Sequence, residues 1–405
     1  MPSERSAPVT TGTSQPPSYP MARTCPYQPP EGHAALRADG PLAKVTLFDG
    51  RQAWVVTGHA EARAVLADTT MSVDQSNPAY PSLMPRPPGG LPFRMFVGMD
   101  DPDHAVHRRA VLPWFTVRRI QAMRPGIQAV ADRLVDRLLA QGPPADLMTG
   151  YAMPLSSLVI CEMLGVPYED HDFFEERTRL RRSTDRVAAA TAIQELTQFL
   201  EKLLAAKKAD PGDDLLSSVV AQGAKDDRLS WRDLVGISVV LLIAGYEPPA
   251  NMIALGILTL LAHPDQLALL RADPGRFPGA VDELMRYLSI TDASIRFATA
   301  DREIAGQRIA AGDGVLVLLP AANRDGSVFA EAEQLDVTRT NVRHVAFGHG
   351  IHQCLGHTLA RLELEIAFET LLRRLPGLAL AVPADELPIR GATEIQGVAE
   401  LPVTW

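Results

Sequence analysis

Cysteine is scarce in this chain of 405 residues, which holds three: Cys25, Cys161 and Cys354. A sparse, odd-numbered set builds no disulfide framework and fits a reducing compartment, yet it leaves a thiol for chemistry. Positive charge is also in short supply. With 39 Lys and Arg against 48 Asp and Glu, the net charge is −9, which argues against nucleic acid as a partner. The opening MPSERSAPVTTGTSQPPSYP lacks the charged-then-apolar pattern of a signal peptide, so a soluble, cytoplasmic, monomeric protein without membrane anchor is expected. Its polar, proline-rich composition predicts a flexible arm over residues 1–20. With neither an internal repeat nor a long linker after it, residues 21–405 read as a single domain.

Apolar residues make up 46% of the chain, enough for a sizeable core. KVTLFDG followed by QAWVVTG places β-branched and aromatic residues around an Asp-Gly turn and predicts a hairpin. Helical periodicity then dominates, as in IQAVADRLVDRLLA, AATAIQELTQFLEKLLAAKK and LELEIAFETLLRRL. Strand-like pieces return late, in REIAGQRIAAGDGVLVLLP and IQGVAELPVTW. The fold class is mainly α, with a minor β part assembled from both ends of the chain.

One segment is apolar nearly all round. It opens at Ser230 with a capping-box pattern, Asp233 standing at the third helical position, and runs to His263-Pro264. At about 1.5 Å per residue it would span roughly 45–50 Å, and it should be buried. Within it, in LLIAGYEPPANMIAL, stand Pro248 and Pro249. A proline inside a helix removes a donor and clashes with the preceding turn, at roughly 3 kcal/mol each. A kink is therefore expected there.

Near the C-terminus, HVAFGHGIHQCLGHTLARLELEIAFETLL sets Phe347, Gly350, Cys354 and Gly356 in the spacing F-x-x-G-x-x-x-C-x-G before a long helix. Glycines on both sides of the cysteine let the backbone approach something flat and bulky. A sulfur at a helix N-terminus faces amide donors, which favours thiolate, and an axial thiolate on haem iron promotes O–O cleavage. This stretch resembles the cysteine-ligand loop of the cytochrome P-450 superfamily, the haem-thiolate monooxygenases. The resemblance implies that fold, with haem b held between the long central helix and the cysteine-loop helix, Cys354 as iron ligand, and Phe347 and Gly356 beside the cofactor.

Further motifs support it. VDELMRYL carries Glu283 and Arg286 in the family's E-x-x-R pattern, with Arg339 in LDVTRT as its third member and PAANRD between. MDDPDHAVHRRAV resembles the haem-flanking helix, where His104 and Arg108 at i, i+4 suit a haem propionate. By the same resemblance Arg296 and His352 are the other propionate partners. The closest flavour is that of soluble actinobacterial members, which oxidise macrolides and other polyketide-like secondary metabolites.

The central helix carries the family's A-G-x-[DE]-T with one departure. Ala244, Gly245 and Glu247 fit, but Pro248 replaces the threonine whose hydroxyl helps to deliver protons for O–O cleavage. Proton delivery by another route is the expectation: a substrate hydroxyl, water held by the carbonyls the prolines leave free, or Glu247. Hydroxylation or oxidative ring closure by O2 is the implied reaction. Peroxide-driven oxidation and a non-catalytic haem- or ligand-binding protein are the alternatives. Electrons would come from ferredoxin and its reductase, the ferredoxin steered by Arg108, Arg109, Arg118, Arg119 and Arg124. The substrate pocket is expected from Ser72–Met99, the helices around Phe173–Glu195, Leu241, Ala244 and Ile295.

Overall fold

A computed structural model describes residues 15–84, 95–180, 185–340, 342–389 and 395–405. Helices dominate, and the longest is the central helix Trp231–Ala262. Its start is the capping box read from sequence. The Ser230 amide donates to Asp233 Oδ2 at 3.0 Å, and the Asp233 amide donates back to Ser230 Oγ at 3.2 Å. Two glycines set how closely it packs. A Cβ on Gly245 would lie 2.4 Å from Ile160 Cδ1 of helix Met153–Leu164, and one on Gly256 would lie 2.4 Å from Phe368 Cζ of helix His357–Arg374. The central helix is thus wedged between two partners at near-backbone distance. It is long and apolar enough to cross a membrane, yet it lies mostly buried in the core.

The expected kink does not interrupt this helix, which continues through Pro248 and Pro249 to Ala262. The prolines cannot donate to the carbonyls of Ala244 and Gly245, but the ladder resumes within a turn. Asn251 Nδ2 adds a side-chain bond to the Glu247 carbonyl at 3.0 Å. Tight packing against Ile160 and Phe368 flanks the two prolines and supports the helix across the missing bonds.

The β part is assembled from both ends of the chain, as expected. Strands Leu42–Thr46 and Gln52–Val56 form the hairpin, with Gly50 at φ +82° in its turn. Gln52–Val56 then pairs in parallel with Gly314–Leu318, which pairs antiparallel with Ala293–Ala298, and Met71–Ser72 closes the sheet. This pairing brings Ile295 and Arg296 alongside Leu316 and Val315. A smaller sheet joins Ala145–Asp146, Pro402–Thr404 and Ala379–Leu380.

The arm expected over residues 1–20 is shorter at its inner end. Tyr19 is buried, its amide donates to the Thr46 carbonyl at 2.9 Å, and its hydroxyl donates to Asp292 Oδ2 at 2.5 Å. Burial of one aromatic ring outweighs the polar composition around it. Residues 1–14 lie outside the described residues.

Candidate active site

The cysteine loop is folded by its own backbone. The Cys354 amide donates to the Phe347 carbonyl at 2.8 Å, and the Gln353 amide to that of Gly350 at 3.0 Å. Gly350 adopts φ +73°, and a Cβ there would lie 2.4 Å from the Leu66 carbonyl oxygen, so both backbone shape and space demand glycine. Gly356 differs. The nearest atom to a Cβ there is Phe115 Cε1 at 3.8 Å, so protein packing alone does not require its glycine. Phe347 packs beside His357, with the Arg361 guanidinium 4.7 Å from its ring centroid.

Of the three free thiols Cys161 is buried, Cys25 half-buried and Cys354 exposed. Although it has open surface, Cys354 is densely surrounded, as a side chain on the floor of a cleft is. Burial pushes its thiol up, opposed by the Gly356 amide and by the charges of Arg108 and Arg361. The helix N-terminus expected to favour thiolate is therefore outweighed by desolvation in the protein alone. A metal ion would reverse this, because a coordinating thiol is deprotonated outright.

Four cationic or ionisable groups converge beside the loop. Arg108 Nη2 donates to the Gln353 carbonyl at 2.8 Å, tying helix Asp103–Val111 to the cysteine segment. The rings of His104 and His352 lie 4.1 Å apart, and His104 Nδ1 is 3.1 Å from Asp101 Oδ1. Arg296 is 5% exposed and, among the described residues, donates through Nη1 to Ser294 Oγ and the Ile295 carbonyl, at 3.1 and 2.8 Å. Burial pulls it down to about 10, with Tyr80 and Asp100 opposing. His352 falls to about 3, through burial first and then His104, Arg296 and Arg108. Burial is the leading cause in both, and for His352 the neighbouring cations add to it. A cavity of about 360 Å³ opens here, lined by Asp100, Asp101, Arg296 and His352 among others.

Beneath the site lies the E-x-x-R cluster, fully assembled. Glu283 and Arg286 are both 0% exposed and joined by two bonds, of 2.7 and 2.8 Å. Arg339 Nε reaches Glu283 Oε2 at 3.1 Å. Arg286 also donates to the carbonyls of Asn323, Ala332 and Gln334, between 2.8 and 2.9 Å. Sequence reasoning missed the link from here to the cysteine loop. Asn323 Nδ2 donates to Ser289 Oγ, and Asn323 Oδ1 accepts the Val345 amide, both at 2.8 Å. PAANRD alone carried that signal.

On the central helix, Ala244 is exposed midway along an otherwise buried element, where it faces open space. Glu247 and Pro248 are half-buried, Leu241 is buried and Ile295 is half-buried. Gly245 is required by its contact with Ile160 rather than by the cleft. Part of the substrate loop, residues 85–94, and residues 181–184 of the second region lie outside the described residues. A separate cavity of about 760 Å³, lined by Arg133, Asp136, Arg137 and Glu169 among others, shares no residue with this site.

The basic face is smaller than its five arginines suggested. Arg108 turns inward, Arg124 pairs with Glu365 at 2.9 Å, and Arg119 lies over the Trp114 ring and 3.5 Å from Asp213. Arg109, Arg118 and Arg119 are exposed beside the exposed apolar residues Leu112 and Val117, Arg119 with the exposed Asp213 as neighbour.

The Cytochrome P-450 family profile matches residues 278–377, which hold the E-x-x-R helix and the cysteine loop. Pentalenic acid synthase of Streptomyces avermitilis is 49% identical, covering 98% of this chain and 99% of that protein. The chain belongs to the cytochrome P-450 family. Vitamin D3 dihydroxylase of Streptomyces griseolus is 46% identical over 98% of this chain and 99% of its own length. The crystal structure of MycCI, a mycinamicin VIII methyl hydroxylase of Micromonospora griseorubida bound to mycinamicin VIII, superposes with a TM-score of 0.90 at 41% identity. That match covers 96% of this chain and all of that one. The protein is thus a cytochrome P-450 monooxygenase with the P-450 fold, of the kind that acts on secondary metabolites, and its cofactor is haem b held through a cysteine thiolate. The residues present fit that group. An exposed thiol stands in a glycine-flanked loop with room over Gly356, beside the buried Arg296 and the half-buried Arg108.

Proposed function

We propose that this cytochrome P-450 oxidises a bulky macrolide, ansamycin or other polyketide-like metabolite, by hydroxylation or oxidative ring closure with O2. Electrons come one at a time from a ferredoxin and its reductase, to a soluble, cytoplasmic monomer. The single observation that carries this reading is the exposed Cys354 thiol in its backbone-closed loop, three residues before the start of helix His357–Arg374. Relatives that include a pentalenic acid synthase and a mycinamicin hydroxylase support the substrate class.

Haem b, when bound, supplies oxygen activation. Cys354 would be its ligand, Phe347 and Gly356 would lie beside it, and Arg296, His352, His104 and Arg108 would bind the propionates. These anions would offset the part of the His352 depression that comes from its cationic neighbours, while burial, the larger cause, would remain. The exposed Ala244 would leave space for O2 and substrate beside the bound cofactor. Pro248 offers no hydroxyl, but the carbonyls of Ala244 and Gly245 lack the amide donors that residues 248 and 249 would otherwise provide. Those oxygens accept hydrogen bonds from water or from a substrate hydroxyl, which then carries the proton. Glu247, half-buried one residue away, is the second proton source.

Reduced-plus-CO difference spectra test the ligand: a long-wavelength Soret band is expected, and its absence would refute the assignment. Turnover with NADPH, ferredoxin and reductase, compared with peroxide alone, separates the monooxygenase from a peroxide-driven enzyme. Pro248→Thr should change coupling or product pattern. If both are unchanged, the proton route does not depend on residue 248.

A further inference from the structure

Away from the haem-binding residues, the N-terminal segment meets the start of strand Ala293–Ala298 in a buried polar cluster. All three guanidinium nitrogens of Arg23 are buried and have no hydrogen-bond partner among the described residues. The same holds for both ring nitrogens of His33, for Asp292 Oδ1 and for Arg324 Nε. As residues, His33 is 0% exposed, Arg324 3% and Asp292 6%. Their existing contacts leave these atoms over. Tyr19 occupies Asp292 Oδ2, and His33 Nε2 stands 3.8 Å from that oxygen, beyond hydrogen-bond range. Arg324 spends Nη1 on Glu333 at 2.6 Å and Nη2 on the Tyr287 carbonyl at 3.1 Å.

The chemistry of the leftover atoms is lopsided. A guanidinium has five N–H donors and no acceptor, while a neutral imidazole has one of each. With Arg324 Nε, roughly seven N–H groups are left over against about three lone pairs, two on Asp292 Oδ1 and one on a His33 nitrogen. Each buried polar group left unsatisfied costs about 1–3 kcal/mol, so the folded chain does not leave them bare. Water brings donors as well as acceptors and cannot redress the imbalance. A monatomic anion only accepts. Charge points the same way: Arg23, Arg37 and Arg324 stand against Asp292 and Glu333, and burial pulls Arg23 down to about 10 with Asp292 only partly opposing.

We propose that this cluster is a buried site for a small monovalent anion, chloride in the cell, held by Arg23, His33 and the Nε of Arg324. The anion fastens the segment around Tyr19–His33 to Asp292. Asp292 directly precedes the strand that carries Ile295 and Arg296, and its carbonyl accepts the Leu319 amide at 3.1 Å.

Bromide is the probe. Holoenzyme crystals grown without halide and soaked in sodium bromide should show an anomalous peak within hydrogen-bond distance of the Arg23 guanidinium. Peaks on the surface only, or Arg23 turned directly onto Asp292 Oδ1, would overturn the proposal. In solution, holoenzyme melting is compared in sodium chloride and sodium gluconate at equal ionic strength. Chloride at tenfold above half-saturation should raise the wild-type Tm by about 1–2 °C over gluconate, and leave Arg23→Gln unmoved. Asp292→Asn removes the nearest competing negative charge and should lower the half-saturating chloride concentration by about threefold or more. No chloride-specific rise in wild type, or weaker binding in Asp292→Asn, refutes the site even should Arg23→Gln fail to fold.

Discussion

Glu363 sits inside the helix that follows the cysteine loop, 1% exposed, with Ser156 Oγ donating to its Oε1 at 2.6 Å. Burial raises its carboxyl from 4.5 to about 7, opposed only by that hydrogen bond. Below pH 4.5 the group is protonated both folded and unfolded, and it has no effect on stability. As pH rises from 4.5 toward 7 the unfolded chain releases the proton first, so stability falls, and above 7 the whole penalty remains. The gap corresponds to about 3 kcal/mol. Glu363→Gln keeps an oxygen to accept from Ser156 and removes the ionisation. The variant should match the wild type near pH 4.5 and exceed it at pH 8, by about 3–4 °C in Tm for a chain of this size. Holoenzyme melting across that pH range is the assay. A difference that does not vary with pH, or a less stable variant at pH 8, would refute the reasoning.

Other outcomes follow from the same coordinates. Arg286→Met strips Glu283 of two bonds and three carbonyls of their donor, which should cost about 3–5 kcal/mol, read as a Tm lower by about 4–6 °C. Arg109→Glu with Arg118→Glu should slow reduction by ferredoxin about tenfold at low salt and converge with wild type at high salt, measured by stopped-flow under CO. Gly350→Ala puts a methyl against the Leu66 carbonyl at positive φ, so the holoenzyme should lose haem faster on dilution while its CO band keeps its position.

Much of the site was legible because its signals are local or fixed in spacing. The loop around Cys354, the Glu283–Arg286 turn and the Ser230 cap each lie within a dozen residues, and each folded as read. Arg339 required the family pattern, since a bond reaching back to Glu283 has no local signature. Long-range burial was the part that sequence could not supply. Composition made residues 1–20 an arm because it does not show that Tyr19 finds Asp292. A helix pattern placed Glu363 correctly without showing that both faces of that helix are covered. The prolines were read from their missing donors, but that the helix continues beyond them to Ala262, packed against Ile160 and Phe368, is a matter of long-range contact.

The parallel pairing of Gln52–Val56 with Gly314–Leu318 has a consequence for synthesis. The hairpin emerges from the ribosome with one edge, Ala53 to Val56, waiting for a strand about 260 residues further on. At about 5–20 residues per second, that edge is open for roughly 13–50 s. Through that interval it is a short β-branched and aromatic template able to pair with another nascent chain. Expression at lower temperature slows the ribosome and lengthens the wait, so soluble yield should depend on chaperones that cover an N-terminal hairpin, more than on the stability of the finished fold.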